Sequence, residues 1–161
     1  LAARAGVSVL RTPVGEAHVA RAMMAGKCVI GGEGNGGVID LRISPVRDSI
    51  QSMALVLQLM ATTGKKVSEL VSALPRYAMI KQKFEAGREQ IAAAVERLAT
   101  AFDKRSDVRM NRSDGVRLDF EAGWVHLRPS NTEPIVRVIA EARDESMAND
   151  LIAKAKAAAG M

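Results

Sequence analysis

The feature that most constrains the fold is a change of rhythm in the hydrophobic pattern near Pro75. Beyond this proline, one strand-like segment and one amphipathic helix precede several short strand-like segments and a closing helix. Asp114-Gly115 and Ala122-Gly123 mark tight turns between those segments. The pattern predicts a small α+β domain over residues 76–161, in which an antiparallel sheet is packed by two helices. The predicted elements are strands at 77–84, 108–111, 116–120, 124–128 and 135–142, a helix at 88–102, and a final helix capped by Asp144.

Before Pro75 the pattern alternates between strands and helices, which is typical of an α/β layer. A helix that begins after Asp48 contains the run 53–60, which is apolar on almost every side, so the sequence predicts that this helix is deeply buried. We therefore expect residues 1–75 to form part of an α/β domain. The predicted elements are strands at 7–10 and 27–30 and helices at 15–25, 48–63 and 67–74.

Composition narrows the class of function. The net charge of +5 favours anionic ligands, but aromatic residues make up only 3% of the chain, which argues against stacking on single-stranded nucleic acid. The longest apolar run, 53–57, is too short to span a membrane. Cys28 stands alone, as is usual in a reducing cytosol, and we interpret it as a core residue. Because the chain begins with Leu1 and not Met, we interpret it as a piece of a longer protein or a processed product.

The loop Arg128–Pro134, called the arginine loop below, has the composition of a phosphate site. Two prolines stiffen it, short polar residues in a turn can gather N–H groups around an anion, and arginine offers a planar fork to two phosphate oxygens. The spacing alone leaves a plain polar turn equally open. His126, on the preceding strand, is interpreted as a structural histidine. The candidate phosphate-binding residues are Arg128, Ser130, Asn131, Thr132 and Arg137.

A second loop, Gly31–Gly37, is called the glycine loop. It fits the dinucleotide-binding fingerprint, but that fingerprint needs a helix directly after it, and the β-branched segment 38–43 is poor helix material. We therefore reject a dinucleotide site. The loop projects Glu33 and Asn35, a carboxylate and an amide that suit the paired hydroxyls of a sugar. A flexible linker with incidental polar groups is the alternative.

Together the two loops resemble motifs of the α-D-phosphohexomutase family. That family has a sugar-recognition motif G-E-x-S-G-H in its third domain, where this chain has Gly32 to Gly37, and a phosphate motif R-x-S-N-T-x-P in its fourth domain, matched by Arg128 to Pro134. Asn35 stands where the family usually has Ser, and Gly37 where it has His. Glu16 occupies a position where other members place a polar contact residue. The resemblance implies that 1–75 is the C-terminal portion of a three-layer α/β third domain and that 76–161 is the fourth domain.

The resemblance also implies an activity for the whole protein. A phosphoserine and a Mg²⁺, both on domains absent from this chain, would interconvert hexose 1-phosphate and hexose 6-phosphate through a hexose 1,6-bisphosphate. This chain would recognise sugar hydroxyls and anchor the non-reacting phosphate, would contain no catalytic residue, and would be inactive alone. The expected partners are a hexose phosphate and the missing N-terminal domains, in the cytoplasm, without nucleic acid or membrane. The alternative is a non-catalytic phosphate- or RNA-binding α+β module. Glucose, mannose and glucosamine phosphates differ at C2 of the sugar. Neither loop obviously recognises that position, so the two motifs do not identify the preferred hexose.

Overall fold

A computed structural model describes residue 2 and the ranges 5–34, 36–130 and 133–161. The chain divides into two compact units, Leu1–Leu74 and Pro75–Met161. In the described ranges, no helix is both long enough and apolar enough to cross a lipid bilayer.

In its described residues, the N-terminal unit contains three helices and one small sheet. The two strands pair antiparallel, with Gly32 opposite Val38, and helix α1 lies against the first of them. The small core of this unit is formed by Val19, Ala20 and Met23 of α1 together with Ile39. The elements are α1 (Glu16–Gly26), β1 (Gly31–Glu33), β2 (Gly37–Ile39), α2 (Ser49–Thr63) and α3 (Val67–Ser72).

Two strands that the sequence predicts in this unit are not formed. Neither 7–10 nor 27–30 forms a strand, and pairing begins only at Gly31. Their apolar side chains are exposed, Val9 and Val29 among them. A strand exists only where a neighbour completes its ladder of hydrogen bonds, and β-branched composition does not provide that neighbour.

Helix α2 begins and ends as the sequence predicts, but it is not buried. The Asp48 carboxylate accepts a hydrogen bond from the Gln51 backbone N–H at 2.8 Å, which caps the helix. No residue of α2, which is described throughout, is buried, and Leu57 is 63% exposed. The prediction of deep burial is therefore wrong for this chain. A sheet of two three-residue strands is too small to cover a helix that is apolar on every side.

The C-terminal unit has the architecture that the sequence predicts: one antiparallel sheet packed by two helices. The strand order is β3-β7-β6-β5-β4, and each neighbouring pair is antiparallel. The predicted strands and helices correspond to observed elements with small shifts at the ends. These elements are β3 (Ala78–Glu85), α4 (Arg88–Phe102), β4 (Arg109–Asn111), β5 (Val116–Asp119), β6 (Gly123–Pro129), β7 (Ile135–Ala142) and α5 (Glu145–Ala159).

Both helices of this unit pack on one face of the sheet. Alternate strand residues point toward them, including the fully buried Leu118, Leu127 and Val138. The intervening residues point to the opposite face, where the register places His126 opposite Ile139. That face carries the charged side chains of the sheet, and the arginine loop joins β6 to β7 at one end of it.

Candidate functional site

The described part of the arginine loop is held by backbone hydrogen bonds at both of its ends. The Ser130 N–H donates to the Ile135 carbonyl at 2.9 Å, and the Ile135 N–H donates to the Glu133 carbonyl at 2.8 Å. The Ala86 N–H reaches the Pro134 carbonyl at 3.3 Å and ties the loop to the start of α4. Two predicted phosphate-binding residues, Asn131 and Thr132, lie outside the described residues.

The two predicted arginines are direct neighbours across the sheet. Arg128 on β6 is paired in register with Arg137 on β7, so both lie on the face without helices. Like charges directly opposite on adjacent strands repel each other and destabilise the pair. Two opposed guanidinium groups at the ends of one loop therefore need nearby negative charge, from protein carboxylates or from a bound anion.

Arg128 is buried and is paired with a carboxylate from another turn. Its Nε lies 2.8 Å from Asp114 Oδ2, with the two side chains only 7% and 15% exposed. The contact is an ion pair and not an aligned hydrogen bond, because the N–H does not point along the line between the atoms. The shortest contact is made by Nε, the inner nitrogen of the guanidinium group, and not by one of its two terminal nitrogens.

Arg137 has a looser partner. Its Nη2 lies 3.1 Å from Glu133 Oε2, and both side chains are about half exposed. An exposed ion pair of this kind is worth about 0–1 kcal/mol, so a ligand can displace it at small cost. Because each arginine has its own carboxylate, the charges of the four side chains cancel. An anion at this loop would be bound by directed N–H donors and not by an unbalanced positive field.

A cavity of about 840 Å³ lies beside the arginine loop, between the loop, helix α4 and the turn that joins β4 to β5. Ser130 lines it, so one predicted site residue faces a space large enough for a small metabolite. Its floor is apolar, from Ile91 and Val95, and Arg88 and Arg112 lie on its rim. Arg112 pairs with Glu96 of α4 across that rim.

His126 packs next to Asp114 and stays uncharged at neutral pH. Its Nε2 contacts the Asp114 backbone carbonyl. Burial lowers the pKa of His126, an effect that the hydrogen bond with Asp114 partly offsets. The structure thus places His126 as a neutral side chain that supports the turn, in line with its interpretation as a structural histidine.

In the N-terminal unit, the glycine loop forms the hairpin between β1 and β2. Glu33 is half-buried, and its Oε1 accepts a hydrogen bond from the Gly15 N–H at 2.9 Å. This contact connects the loop to the turn that opens α1. Asn35, the other predicted hydroxyl-binding residue of the loop, lies outside the described residues.

Glu16, the third predicted sugar contact, is engaged by Arg47. Arg47 Nε lies 2.6 Å from Glu16 Oε2, and the Arg47 N–H donates to Oε1 at 3.0 Å. The backbone hydrogen bond from Arg47, followed by the side-chain bond, lowers the pKa of Glu16. Since Gly15 contacts Glu33 and the adjacent Glu16 contacts Arg47, the structure brings both predicted carboxylates into one cluster.

Gly37, which stands where the resembling family has His, leaves space that Arg47 fills. A Cβ built on Gly37 would lie 2.1 Å from Arg47 Cδ and 2.6 Å from Arg47 Cγ. Arg47 therefore takes the place of a side chain at position 37 and brings a cation to the glycine loop. Sequence reasoning missed Arg47, because its contacts with Glu16 and Gly37 are made across long stretches of chain.

Sequence reasoning also interpreted Asp114 only as a turn residue. The hairpin register brings this turn to Arg128: Val116 pairs with Leu127, so the preceding residue Gly115 falls opposite Arg128. The predicted turn at Ala122-Gly123 would have placed Val116 opposite Pro129, so it does not give this register. In the part of the chain that the structure describes, no group of three or more His, Cys, Asp or Glu residues is placed to hold a metal ion.

Comparison with known proteins matches both units of the chain to one family. The family model described as phosphoglucomutase/phosphomannomutase, alpha/beta/alpha domain III, matches residues 1–77, and the model of the C-terminal domain of the same family matches residues 79–158. A phosphoglucomutase/phosphomannomutase from Thermococcus kodakarensis is 39% identical over 94% of this chain and 33% of its own length. A probable phosphoglucosamine mutase from Methanopyrus kandleri is 37% identical over 91% of this chain and 32% of its own length.

A solved structure shows the same fold. The crystal structure of a phosphoglucomutase/phosphomannomutase family protein from Burkholderia thailandensis superposes with a TM-score of 0.78, at 22% identity, over 98% of this chain and 34% of that one. The chain thus spans about a third of the length of the relatives that it matches. With both family models matched in order along the sequence, the chain belongs to the phosphoglucomutase/phosphomannomutase family.

Proposed function

We propose that this chain is the hydroxyl-recognising and phosphate-anchoring part of a mutase that interconverts hexose 1-phosphate and hexose 6-phosphate. The reaction would pass through a hexose 1,6-bisphosphate and a phosphoserine that belongs to another part of the whole protein. Residues 1–75 would form the sugar-recognising domain portion and residues 76–161 the phosphate-anchoring domain. Family membership supports the class of reaction, and the geometry of the two loops supports this division of labour.

The observation that carries the proposal is the pair of opposed arginines at the arginine loop. Arg128 and Arg137 are cross-strand neighbours on the same face, at the two ends of a loop that also presents Ser130. A phosphate dianion beside the two guanidinium groups would accept several charge-assisted hydrogen bonds from them, each worth about 1.5–3 kcal/mol, and would replace the exposed Glu133 as the partner of Arg137. Asn131 and Thr132 would add an amide and a hydroxyl from the same loop. Binding the remote phosphate positions the reacting end of the sugar elsewhere.

The glycine loop would recognise the sugar. A substrate that binds in two orientations exchanges the places of its hydroxyls, and a carboxylate such as Glu33 can accept from neighbouring hydroxyls in either orientation. Asn35 would donate and accept beside it. Glu16 would contribute through its place next to Gly15, although its engagement by Arg47 leaves fewer oxygen lone pairs for the sugar.

The remaining chemistry would come from the rest of the enzyme. A Mg²⁺ would assist phosphoryl transfer on a domain that this chain does not contain, and the N-terminal domains of the same protein would be its partners. The chain alone is expected to be catalytically inactive. A cytoplasmic location is part of the proposal, because hexose phosphates are charged metabolites.

Steady-state kinetics of the whole mutase with glucose 1-phosphate tests the anchoring role. We expect Arg128→Ala to raise KM at least about tenfold, because it removes the buried member of the clamp. Arg105→Ala is the matched control, since Arg105 belongs to the same unit and has a carboxylate partner, Asp107, away from the loop. An Arg128→Ala enzyme with unchanged KM and kcat would contradict the proposal. Tight, salt-dependent binding of single-stranded RNA by the 161-residue chain would instead favour the alternative module.

A further inference from the structure

We propose that Asp114 is a positioning residue that sets the direction of the Arg128 guanidinium toward the substrate phosphate. The inference rests on the proposed function, because it concerns the same anchor. Asp114 lies outside the arginine loop, in the turn between β4 and β5, and its carboxylate is 2.8 Å from Arg128 Nε. It therefore holds the arginine from a separate part of the sheet.

The turn is built to lie against Arg128. Gly115, which follows Asp114, has a φ of +71°, and a Cβ added there would lie 2.3 Å from the Leu127 carbonyl oxygen and 2.8 Å from Arg128 Cα. Only a residue without a side chain allows the two backbones to come this close. His126, also on β6, contacts the Asp114 carbonyl and so holds the same turn.

Burial makes the carboxylate necessary. Arg128 is 6% exposed, and a buried guanidinium without a charged partner would be strongly disfavoured. Without Asp114, the Arg128 side chain would move into solvent, and its guanidinium group would no longer be oriented before the phosphate binds. Asp114 Oδ2 lies closest to Nε, so the carboxylate contacts the inner nitrogen of the guanidinium group, whereas the two terminal nitrogens are the ones that match a phosphate.

The second arginine shows what a less constrained cation looks like. Arg137 pairs with Glu133 of the arginine loop itself, and both side chains are about half exposed. Its partner is therefore not a buried carboxylate from another turn, as it is for Arg128. Asp114 thus makes Arg128 the rigid member of the clamp, and Arg137 is the adaptable member. Rigid placement before binding reduces the entropy that the complex loses when it forms.

The test is a double-mutant cycle in the whole mutase, with KM and kcat for glucose 1-phosphate as readouts. Asp114→Asn keeps the shape and removes the charge. We expect it to raise KM about tenfold and to lower kcat less than about threefold. In an Arg128→Ala background the same change should alter KM less than about twofold, because Asp114 acts through Arg128. Asp114→Glu, which keeps the charge but moves it, should raise KM by a smaller factor and provides the readout if Asp114→Asn does not fold.

Asp119→Asn is the matched control. Asp119 forms a pair of similar burial with Arg117 of the same strand, β5, at 2.7 Å, but away from the arginine loop. We expect it to shift the thermal midpoint about as much as Asp114→Asn and to leave KM within about twofold. An unchanged KM in Asp114→Asn beside an impaired Arg128→Ala would overturn the positioning role alone, as would equal effects of Asp114→Asn in both backgrounds. An Arg128→Ala enzyme without any defect would overturn the proposed function.

Discussion

The two units of the molecule differ in how many of their apolar side chains are buried. Among the described residues, eighteen buried side chains form one core in the C-terminal unit, and four form the core of the N-terminal unit. The difference does not come from a lack of apolar residues, because α2 is rich in them. It arises because the five-stranded sheet offers two helices a continuous face, whereas the two short strands of the N-terminal unit do not.

This difference determines how each candidate loop is held in place. The arginine loop takes its geometry from strand register, which sets Arg128 opposite Arg137 and Gly115 against Arg128. The glycine loop joins two strands of only three residues each, and polar contacts hold it in addition, with the Gly15 N–H donating to Glu33 and Arg47 donating to Glu16. We expect the first loop to be stabilised by the core beneath it. The second should respond to single charge changes and to salt.

The largest expected effect compares one substitution in two environments. Leu98→Ala should lower the free energy of unfolding by about 2–5 kcal/mol, because Leu98 on α4 is fully buried. Leu57→Ala on α2 should change it by less than about 0.5 kcal/mol, because Leu57 is exposed. Urea unfolding of the 161-residue chain, followed by circular dichroism, measures both. Equal losses would show that α2 is packed in solution and would remove the contrast between the units.

The next effect compares two glycines with nearly the same backbone conformation. Gly115 has φ +71° and is crowded by Leu127 and Arg128, whereas Gly64 has φ +67° and nothing within 4 Å of a built Cβ. Gly64→Ala should cost about 1–2 kcal/mol, the usual penalty for a left-handed alanine. Gly115→Ala should cost a further 1–3 kcal/mol or so, because its methyl group overlaps a backbone oxygen. Similar values for the two variants would contradict the close approach at Arg128.

Acid should affect the two units in sequence. Burial lowers the pKa of His126, so the unfolded chain binds its proton first as the pH falls below about 6.5, and the C-terminal unit loses stability from there down to the folded pKa. The slope can reach about 1.4 kcal/mol per pH unit. In the N-terminal unit, hydrogen bonds from Arg42 lower the pKa of Asp40 to about 2, so its contribution is present above the usual carboxylate range and is lost between about pH 4 and 2.

Thermal unfolding from about pH 2 to 7, followed by circular dichroism, measures this order. Trp124 fluorescence reports on the C-terminal unit, which contains the one tryptophan of the chain. His126→Gln should remove the pH dependence between the folded pKa and about 6.5. A C-terminal unit that keeps constant stability from pH 7 to 5 would contradict the burial of a neutral His126.

The sequence predicted the C-terminal unit better than the N-terminal unit. Periodicity and turn signals predicted the strands and helices of the C-terminal unit, because there each apolar face meets a partner within the chain. In the N-terminal unit the same reasoning placed strands at 7–10 and 27–30, where pairing is absent, and buried α2, which is exposed. The hydrophobic pattern of a segment indicates which of its faces can be buried. It does not indicate whether the chain contains another helix or strand that covers that face.

The candidate site shows a similar limit. Motif reasoning selected Arg128, Arg137 and Glu33, which the structure places at the arginine loop and the glycine loop, respectively. It missed Arg47 and Asp114, because each acts through contacts between segments that are distant in sequence. Such contacts become predictable only when the register of each hairpin is known. The Ala122-Gly123 turn signal implies a loop centred one residue later than the observed loop between β5 and β6, so it does not place Gly115 opposite Arg128.

The smallest expected effect compares two helix caps with the same chemistry. Asp48 caps α2 and Asp144 caps α5, and each carboxylate accepts a backbone N–H at 2.8 Å. Alanine at either position removes about 1 kcal/mol of helix stability. Helix α5 contributes buried Leu151 and Ile152 to the large core, so Asp144→Ala should lower the global free energy of unfolding by nearly that amount.

Helix α2 buries none of its described side chains, so Asp48→Ala should appear mainly as faster amide exchange in its first turns, with global unfolding almost unchanged. Hydrogen exchange resolved by residue separates the two cases, because only global loss changes protection throughout the C-terminal sheet. If Asp48→Ala lowered protection across the entire N-terminal unit, α2 and the glycine loop would unfold as one cooperative element. The placement of Glu33 would then depend on the cap of a helix that it does not belong to.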